Sequence, residues 1–249
     1  MIQINERVAH GDELRASVKW NRRDVVVREG DREVFRQDAV EAPETWSDRA
    51  VEQPSRLYFR TFDGRKEDSV RAMVDRVVAT VSAAALHPDV GTPLVSVDGA
   101  RALEHELAAL VLNQSFAWNT PVWVNAGAPL PLGEKPQCSA CFIQSVDDNM
   151  ESITALQRSE TQLFRRGSGT GTNFSSLRPE RFPISRGGWS SGPANFMVGY
   201  DAWAAVTKSG GSSRRAAKMC ILNVSHPDIL AFIETKVTAQ RMIRTLVEN

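Results

Sequence analysis

The fold class follows from residues 137–173, which read QCSACFIQSVDDNMESITALQRSETQLFRRGSGTGTN. The opening QCSACFIQSV is apolar enough to form a buried strand. Asp148, followed three residues later by Glu151, has the form of a capping box, and apolar residues then recur at helical spacing as far as Gly167. The glycine-rich GSGTGTN that follows is predicted to be a turn. A strand followed by a helix is typical of an α/β layer.

The flanking segments extend this alternation of strands and helices. Upstream, residues 113–127, NQSFAWNTPVWVNAG, are aromatic and β-branched and predict a strand. Downstream, residues 194–208 predict an amphipathic helix, CILNV at 220–224 predicts a strand, and Pro227 opens a further helix. Residues 119–249 are therefore predicted to form an α/β architecture.

The N-terminal part of the sequence has a different character. Residues 1–60 are rich in charge and poor in periodicity, apart from a strand-like segment at 25–27, and predict an irregular arm. Residues 61–118 predict a helical domain with two amphipathic helices, the first capped by Asp68 or Ser69. Neither helix carries residues with evident chemistry, so both are interpreted as scaffold.

Composition and charge exclude several classes of protein. The formal net charge is zero at pH 7, whereas a general binder of nucleic-acid backbones is expected to carry a basic face. The chain contains no run of about 18 apolar residues and no signal-peptide pattern. We therefore expect a cytoplasmic protein that binds neither nucleic acid nor membranes, with any phosphate recognition confined to a local site.

The three cysteines, Cys138, Cys141 and Cys220, are too few for a secreted disulfide framework. Cys138 and Cys141 form a CxxC, which has three interpretations: half of a zinc site, two inert thiols, or a redox function. Zinc would need a second pair of ligands, yet the four histidines are scattered. No metal site is therefore predicted, and the neighbouring residues favour the redox interpretation.

Two glycine-rich segments, residues 167–173 and 209–215, each lie beside arginine or lysine. Glycine allows close approach of the backbone to a ligand, and a guanidinium group is a forked, permanently charged partner for phosphate. Together they suggest a phosphorylated ligand. Neither is a Walker loop, and the dinucleotide spacing GxGxxG is absent. Taken alone, such segments are equally often ordinary turns.

Several segments resemble, in order and spacing, the N-terminal half of class II (vitamin B12-dependent) ribonucleotide reductases. They are PQCSACFIQSVDDNMESI, LFRRGSGTGTNFSSLR, GGWSSGP and KSGGSSRRAAKMCILNVSHPDILAFIE, with APETWS, LYFR and NQSFAWNTPVWVNAG upstream. The resemblance implies a ten-stranded α/β barrel, of which residues 119–249 would form the first part. It also implies reduction of ribonucleotides to 2′-deoxyribonucleotides, with adenosylcobalamin as the source of the radical.

The resemblance assigns substrate-site functions to four residues. Cys141 matches the family's first active-site thiol, one half of the pair that gives two electrons to the ribose and ends as a disulfide. A thioredoxin-like dithiol would reduce that disulfide, so the thiol is expected to be accessible. Thr120, Ala140 and Gly169 match positions that line the substrate nucleotide with backbone or hydroxyl groups.

The resemblance also assigns a regulatory site to two helices within residues 148–208. These would form a homodimer contact and bind a deoxynucleoside triphosphate or ATP as allosteric effector. Asp148 would accept a hydrogen bond from the effector's sugar hydroxyl, although it is an equally good N-cap. Arg178 and Arg186 would meet the effector's phosphates. Five loop residues would lie between the effector and the substrate base: Ser209, Gly210, Gly211, Arg214 and Arg215.

The chain also departs from the family. It contains no Asn-x-Cys-x-Glu run, which would carry the thiyl-forming cysteine. We therefore expect the chain to be inactive alone and to need a complementing C-terminal polypeptide. Cys138 and Cys220 match no functional thiol and are interpreted as small buried hydrophobes. Two alternatives remain: a nucleotide-binding regulatory dimer without catalysis, and a fragment of a class I reductase that works with a separate radical subunit.

Overall fold

The computed structural model of the chain describes residues 2–4, 11–62, 64–87, 91–128, 136–185, 187–207 and 216–248. The chain forms two compact units, Met1–Cys138 and Ser139–Asn249. Residues 119–138, which the sequence-based division assigns to the second half, belong to the first of these units. None of the helices in the described part is long and apolar enough to cross a membrane.

The first unit combines helices with antiparallel strand pairs. Its elements are α1 (Gly11–Ser17), β1 (Trp20–Glu29), β2 (Arg32–Pro43), α2 (Asp48–Leu57), β3 (Thr61–Phe62), β4 (Arg65–Lys66), α3 (Val70–Leu86), α4 (Val97–Leu112) and α5 (Thr120–Asn125). β1 pairs with β2, and β3 pairs with β4. The unit is therefore mixed α/β, with its strands before the longer helices.

β1 and β2 form a long hairpin within residues 1–60, which the sequence predicts to be an irregular arm. The strand expected at 25–27 is confirmed, but it is part of a longer strand with an antiparallel partner. Most side chains of the hairpin are exposed, and its contribution to the hydrophobic core comes from Val25, Val40 and Ala42. Because so few positions face the core, the hydrophobic alternation is weak, and the irregular interpretation is wrong for this segment.

Helices α3 and α4 confirm the two helices predicted from apolar periodicity. Each begins at a serine: the Ser69 hydroxyl accepts from the N–H of Ala72 at 3.1 Å, and the Ser96 hydroxyl from the N–H of Gly99 at 3.0 Å. One face of α3 is fully buried and supplies much of the core of this unit: Val70, Met73, Val74, Val77 and Val78. The predicted period of burial is therefore the observed one.

The strand predicted within residues 113–127 is wrong, because this segment contains helix α5. Pro121 lies in the first turn of α5, where a missing N–H costs nothing. The ring of Trp123 packs edge-on against that of Trp118, with centroids 5.3 Å apart. The aromatic residues that suggested a strand are thus accommodated by packing around a short helix.

Helix α4 ends in a Schellman turn that places Gln114 in the left-handed region, at φ 57°. The Gln114 N–H donates to the carbonyl of Val111 and the Ser115 N–H to that of Leu110, both at 2.9 Å. Glycine is the usual residue at this position, because a Cβ atom is strained there.

Gln114→Gly is therefore expected to raise the free energy of unfolding by about 0.5–1 kcal/mol, as the relieved strain exceeds the entropy cost of glycine. Urea denaturation followed by circular dichroism measures this change. Gln114→Ala is the matched control, because it keeps the Cβ atom and should give no gain. A glycine variant less stable than the parent would contradict the assignment of strain.

The second unit is built on a parallel sheet. Its elements are β5 (Cys141–Gln144), α6 (Met150–Arg165), β6 (Gly169–Asn173), α7 (Gly192–Val206), β7 (Lys218–Ile221) and α8 (Ile229–Glu248). The strand order is β5-β6-β7, with all neighbours parallel. The predicted alternation of strands and helices is confirmed, and the described strands form an open three-stranded sheet.

Residues 169–173 of the glycine-rich segment predicted as a turn form the central strand, β6. Its backbone is paired on both sides: the Gly169 N–H donates to the Ala140 carbonyl at 2.7 Å, and the Thr170 N–H to the Ala217 carbonyl at 3.0 Å. A Cβ atom on Gly169 would lie 3.1 Å from the Ala217 oxygen. Close packing between two strands thus outweighs the low strand propensity of glycine, and the turn prediction is wrong for these residues.

The two faces of this sheet have different environments. β5 is a strand as predicted, but it is not buried, and Ile143 is 96% exposed. The register places Ile143 beside Gly171 and Met219, on the same face as Cys141 and Gly169. The opposite face packs against helix α6, where Thr170 Oγ1 reaches a glutamate. Cys141 therefore lies on the open face of the sheet.

Candidate active site

Cys141 lies at the beginning of β5, and its side chain is exposed. Its cross-strand partner is Gly169 on the central strand. A Cβ atom at Gly169 would lie 3.3 Å from the Cys141 sulfur, so glycine leaves space directly beside the thiol. Ala140 adjoins both residues through its carbonyl, which accepts the Gly169 N–H. Three of the four predicted substrate-site residues are therefore adjacent and form a small, backbone-lined floor.

A buried serine supports this floor from the preceding turn. Ser168 Oγ donates to the carbonyl of Ser139 at 2.9 Å, and Ser168 is almost fully buried. The bond links Ser168, directly before β6, to Ser139, two residues before β5. Sequence reasoning did not identify Ser168, because a serine in a glycine-rich segment has no distinguishing pattern.

The other two thiols lie in more enclosed positions. Cys138 packs against the core of the first unit, and Cys220 packs against the core of the second. Burial is the main cause that raises the pKa of the Cys138 thiol and the pKa of the Cys220 thiol. Both are half-buried rather than fully enclosed, and both are therefore poorer nucleophiles at neutral pH than an exposed thiol.

We expect iodoacetamide at pH 8 to label Cys141 about tenfold faster than Cys138 or Cys220. A raised pKa lowers the thiolate fraction at this pH, so labelling of the two half-buried thiols should keep rising above their ordinary pKa of 9.0. Peptide mass spectrometry at timed intervals measures the three rates. In guanidinium chloride the rates should converge, and equal rates in the folded chain would contradict the placement of Cys141.

The predicted effector residues Asp148 and Arg178 form an ion pair. Arg178 Nε donates to Asp148 Oδ2 at 2.6 Å, and both side chains remain about one-third exposed. Asp148 does not cap α6, because the Asn149 side chain accepts from the Ser152 N–H at 2.8 Å. The N-cap interpretation of Asp148 is therefore wrong, and its carboxylate is held at the surface beside the start of α6.

A second ion pair lies behind the sheet and was not predicted. Lys218 Nζ contacts Glu160 Oε1, and the two side chains are only 5% and 2% exposed. Glu160 lies on the apolar face of α6, four residues after Leu156 and four before Phe164. A carboxylate at a buried helical position was the available signal, since such a charge requires a partner.

The remaining predicted residues are placed as follows. Thr120 is the first residue of α5, in the first unit. Arg186 and the loop residues Ser209, Gly210, Gly211, Arg214 and Arg215 lie outside the described residues. Within the described ranges, no group of three or more His, Cys, Asp or Glu side chains is arranged to hold a metal ion.

The chain is similar to several known proteins. Residues 139–246 match the family model described as "Ribonucleotide reductase, barrel domain". The chain is 46% identical over 234 residues to a vitamin B12-dependent ribonucleotide reductase of Streptomyces coelicolor, covering 92% of this chain and 23% of that protein. It is 40% identical over 264 residues to the protein of the same name from Rhodopirellula baltica, covering 94% and 25%.

A third relative, the vitamin B12-dependent ribonucleoside-diphosphate reductase of Mycobacterium tuberculosis, is 36% identical over 174 residues, covering 70% of this chain and 23% of that protein. The parallel sheet defines an α/β protein, and the family match assigns residues 139–246 to the same family model as the barrel domain of these reductases. Residues 139–246 thus resemble part of a ribonucleotide reductase, and most of the chain is similar to vitamin B12-dependent members of that family. It spans about a quarter of the length of the relatives it matches.

Proposed function

We propose that this chain is part of a vitamin B12-dependent ribonucleotide reductase and supplies one redox thiol, Cys141, together with a regulatory nucleotide site. The observation that carries the proposal is the position of the Cys141 sulfur: exposed and beside Gly169, on the open face of a parallel sheet. A thiol in this position can reach a ribose and can afterwards be reached by a reductant. Ala140 and Gly169 would line the nucleotide.

The proposed reaction balances with one further thiol. The C2′–O bond of the ribose breaks, a C2′–H bond forms, and the oxygen leaves as water. The two electrons come from two thiols, Cys141 and a cysteine of the complementing C-terminal polypeptide, which lose their hydrogens and form a disulfide. A thioredoxin-like dithiol then reduces that disulfide by exchange.

The cofactor of the complete enzyme is proposed from the names of the relatives, which are vitamin B12-dependent. In its adenosyl form, cobalamin would supply the radical that starts the reaction. The described residues contain no cluster of metal-binding side chains, and we assign none of them to the cofactor. The residues of this chain bind and orient the ribose and deliver one hydrogen from Cys141.

The barrel is proposed because both edge strands of the three-stranded sheet can pair with further strands. β5 and β7 each have one strand neighbour among the described residues, so each presents unpaired backbone groups along its other side. Further strands of a complete reductase would pair with these edges. Residues 119–249 would then form the first part of a ten-stranded barrel.

The regulatory site is proposed at the start of α6. Asp148 and Arg178 present a carboxylate and a guanidinium side by side, which suit a sugar hydroxyl and a phosphate of a deoxynucleoside triphosphate or ATP. On α7, Val198, Trp203 and Val206 are exposed apolar residues. These support a homodimer contact through residues 148–208, because burial of such side chains favours association.

The proposed function is tested by complementation. The chain alone should give no deoxynucleotide, whereas the chain combined with the remaining part of a vitamin B12-dependent reductase, adenosylcobalamin and a dithiol should give repeated turnover. Cys141→Ser should then stop at less than one product per active site, since one electron donor is lost. Cys220→Ser is the matched control and should turn over normally.

Repeated turnover by Cys141→Ser would overturn the redox assignment. If Cys141→Ser turns over while deoxynucleoside triphosphates still bind and promote dimerisation, the chain is a regulatory module. Activity that depends on a second radical protein rather than on adenosylcobalamin would indicate a class I reductase.

A further inference from the structure

We propose that Glu160 and Lys218 are positioning residues that connect the regulatory helices to the floor beneath Cys141. This inference rests on the proposed function, since it needs an effector at α6 and a substrate at Gly169. Its basis is the buried ion pair between Lys218 Nζ and Glu160 Oε1. Thr170 Oγ1 donates to the same carboxylate oxygen at 3.1 Å. One carboxylate of α6 therefore holds residues of both β6 and β7.

Burying an ion pair in a core costs more free energy than filling the same space with apolar side chains. Desolvation costs several kcal/mol for each buried ion, and apolar residues of similar volume often pack with equal or greater stability. Glu160 occupies a position of α6 whose neighbours on the same face, Leu156 and Phe164, are apolar. Packing alone therefore does not account for a charge there, whereas a directional contact to particular atoms of the sheet does.

The ammonium group of Lys218 also contacts the second regulatory helix. Its nitrogen lies 4.1 Å from the centroid of the Tyr200 ring, on α7, and 5.1 Å from that of Phe174. The Tyr200 hydroxyl donates to the Ile153 carbonyl of α6 at 2.6 Å. Burial, aided by Glu160, raises the pKa of Tyr200 to about 12, so the hydroxyl remains a donor at physiological pH. Lys218 thus contacts Glu160 on α6, Tyr200 on α7 and Phe174 directly after β6.

The contact continues from Lys218 to the thiol through backbone atoms. Ala217 precedes Lys218, and its carbonyl accepts the Thr170 N–H at 3.0 Å. That carbonyl oxygen, directly before β7, and the Cys141 sulfur, on β5, lie 3.1 and 3.3 Å from the Cβ position of Gly169. A displacement of Lys218 would therefore move an atom that borders the proposed substrate floor.

A physical route thus leads from α6 to the floor: Glu160, Lys218, Ala217, Gly169 and Cys141. Lys218 also lies three residues after Arg215, the last of the loop residues proposed to lie between effector and substrate base. An effector that shifts α6 would move the carboxylate of Glu160, and the ion pair would transmit this shift to the start of β7. Removing the pair should uncouple the sites without removing effector binding.

The test is hydrogen exchange of this chain with and without dATP and dTTP, compared with the double variant Glu160→Gln/Lys218→Met. In the parent, binding should slow exchange of the amides in Gly169–Asn173 and Lys218–Ile221 by at least about fivefold, the lower range of allosteric coupling. In the double variant, the Kd for the nucleotide should stay within about twofold of the parent value, because no nucleotide contact is removed. The slowing of amide exchange in both strands should be lost.

Lys236→Met is the matched control, because it breaks an exposed pair with Asp201 at 3.6 Å, and it should behave as the parent. If the double variant does not fold, Glu160→Met/Lys218→Met is measured instead, since it fills both positions with apolar side chains of similar volume and leaves no unpaired charge. Nucleotide binding with the slowing retained in the variant would overturn the coupling alone. No binding by the parent would overturn the proposed effector site, and the coupling with it.

Discussion

Lys218→Ala is expected to lower the free energy of unfolding by about 3–5 kcal/mol, the usual effect of removing one partner of a buried ion pair. The carboxylate of Glu160 would remain almost fully buried, with the hydroxyl of Thr170 still donating to it. The cation over the rings of Tyr200 and Phe174 would also be lost. Urea denaturation monitored by far-ultraviolet circular dichroism measures the change.

Two controls accompany this variant. Lys236→Ala removes an 84% exposed lysine that pairs with Asp201, and it should cost less than about 1 kcal/mol. Glu160→Gln/Lys218→Met removes both charges and keeps similar volumes, so its stability should fall much less than that of Lys218→Ala. A loss below about 1 kcal/mol for Lys218→Ala would show that the buried pair does not stabilise this unit.

Arg76→Ala is expected to lower the free energy of unfolding by a similar amount, about 3–5 kcal/mol. Arg76 makes a bidentate pair with Glu67, at 2.9 and 3.0 Å, and the two side chains are 9% and 7% exposed. Its guanidinium also donates to the carbonyls of Trp123 and Ala126, at the end of α5. Removing it leaves a buried carboxylate and frees α5 from α3.

The measurement is urea denaturation followed by tryptophan fluorescence, to which Trp123 contributes. Arg56→Ala is the matched control: its pair with Glu52 is an exposed i, i+4 contact, and the loss should be about 0.3–0.5 kcal/mol. Similar losses for the two arginine variants would contradict the structural importance of the buried pair.

The long helices could be predicted from the sequence because their burial repeats with the helical period. The valines of α3 are all on one face, and a serine marks the start of the helix. The short or exposed elements could not be predicted in this way. Helix α5 has too few residues to show a period, and the hairpin of β1 and β2 buries too few side chains for its alternation to be visible.

Strand β6 was predicted to be a turn for a different physical reason. Gly167 does lie in a turn after α6, at φ 80°. Gly169 and Gly171 also indicate a turn by local propensity, but here they allow β5, β6 and β7 to approach closely, and Gly169 leaves room for the Cys141 sulfur. This is a long-range requirement, and it becomes visible only when the three strands are paired.

The candidate site was predicted in part. Ala140, Cys141 and Gly169 came from the resemblance to a known family, and the structure brings them together. Glu160 and Lys218 were missed because they are 58 residues apart in sequence, and no local pattern connects them. The same holds for Ser168 and Ser139, whose bond depends on the arrangement of the strands.

The most direct test of the account is the oxidation state of Cys141 after turnover without an external reductant. The chain is combined with the complementing polypeptide, adenosylcobalamin and a ribonucleotide, and free thiols are then alkylated and mapped by mass spectrometry. The account predicts that deoxynucleotide forms in a single turnover and that Cys141 is recovered in a disulfide with a cysteine of the complementing polypeptide. Formation of deoxynucleotide with Cys141 still fully alkylated would contradict it.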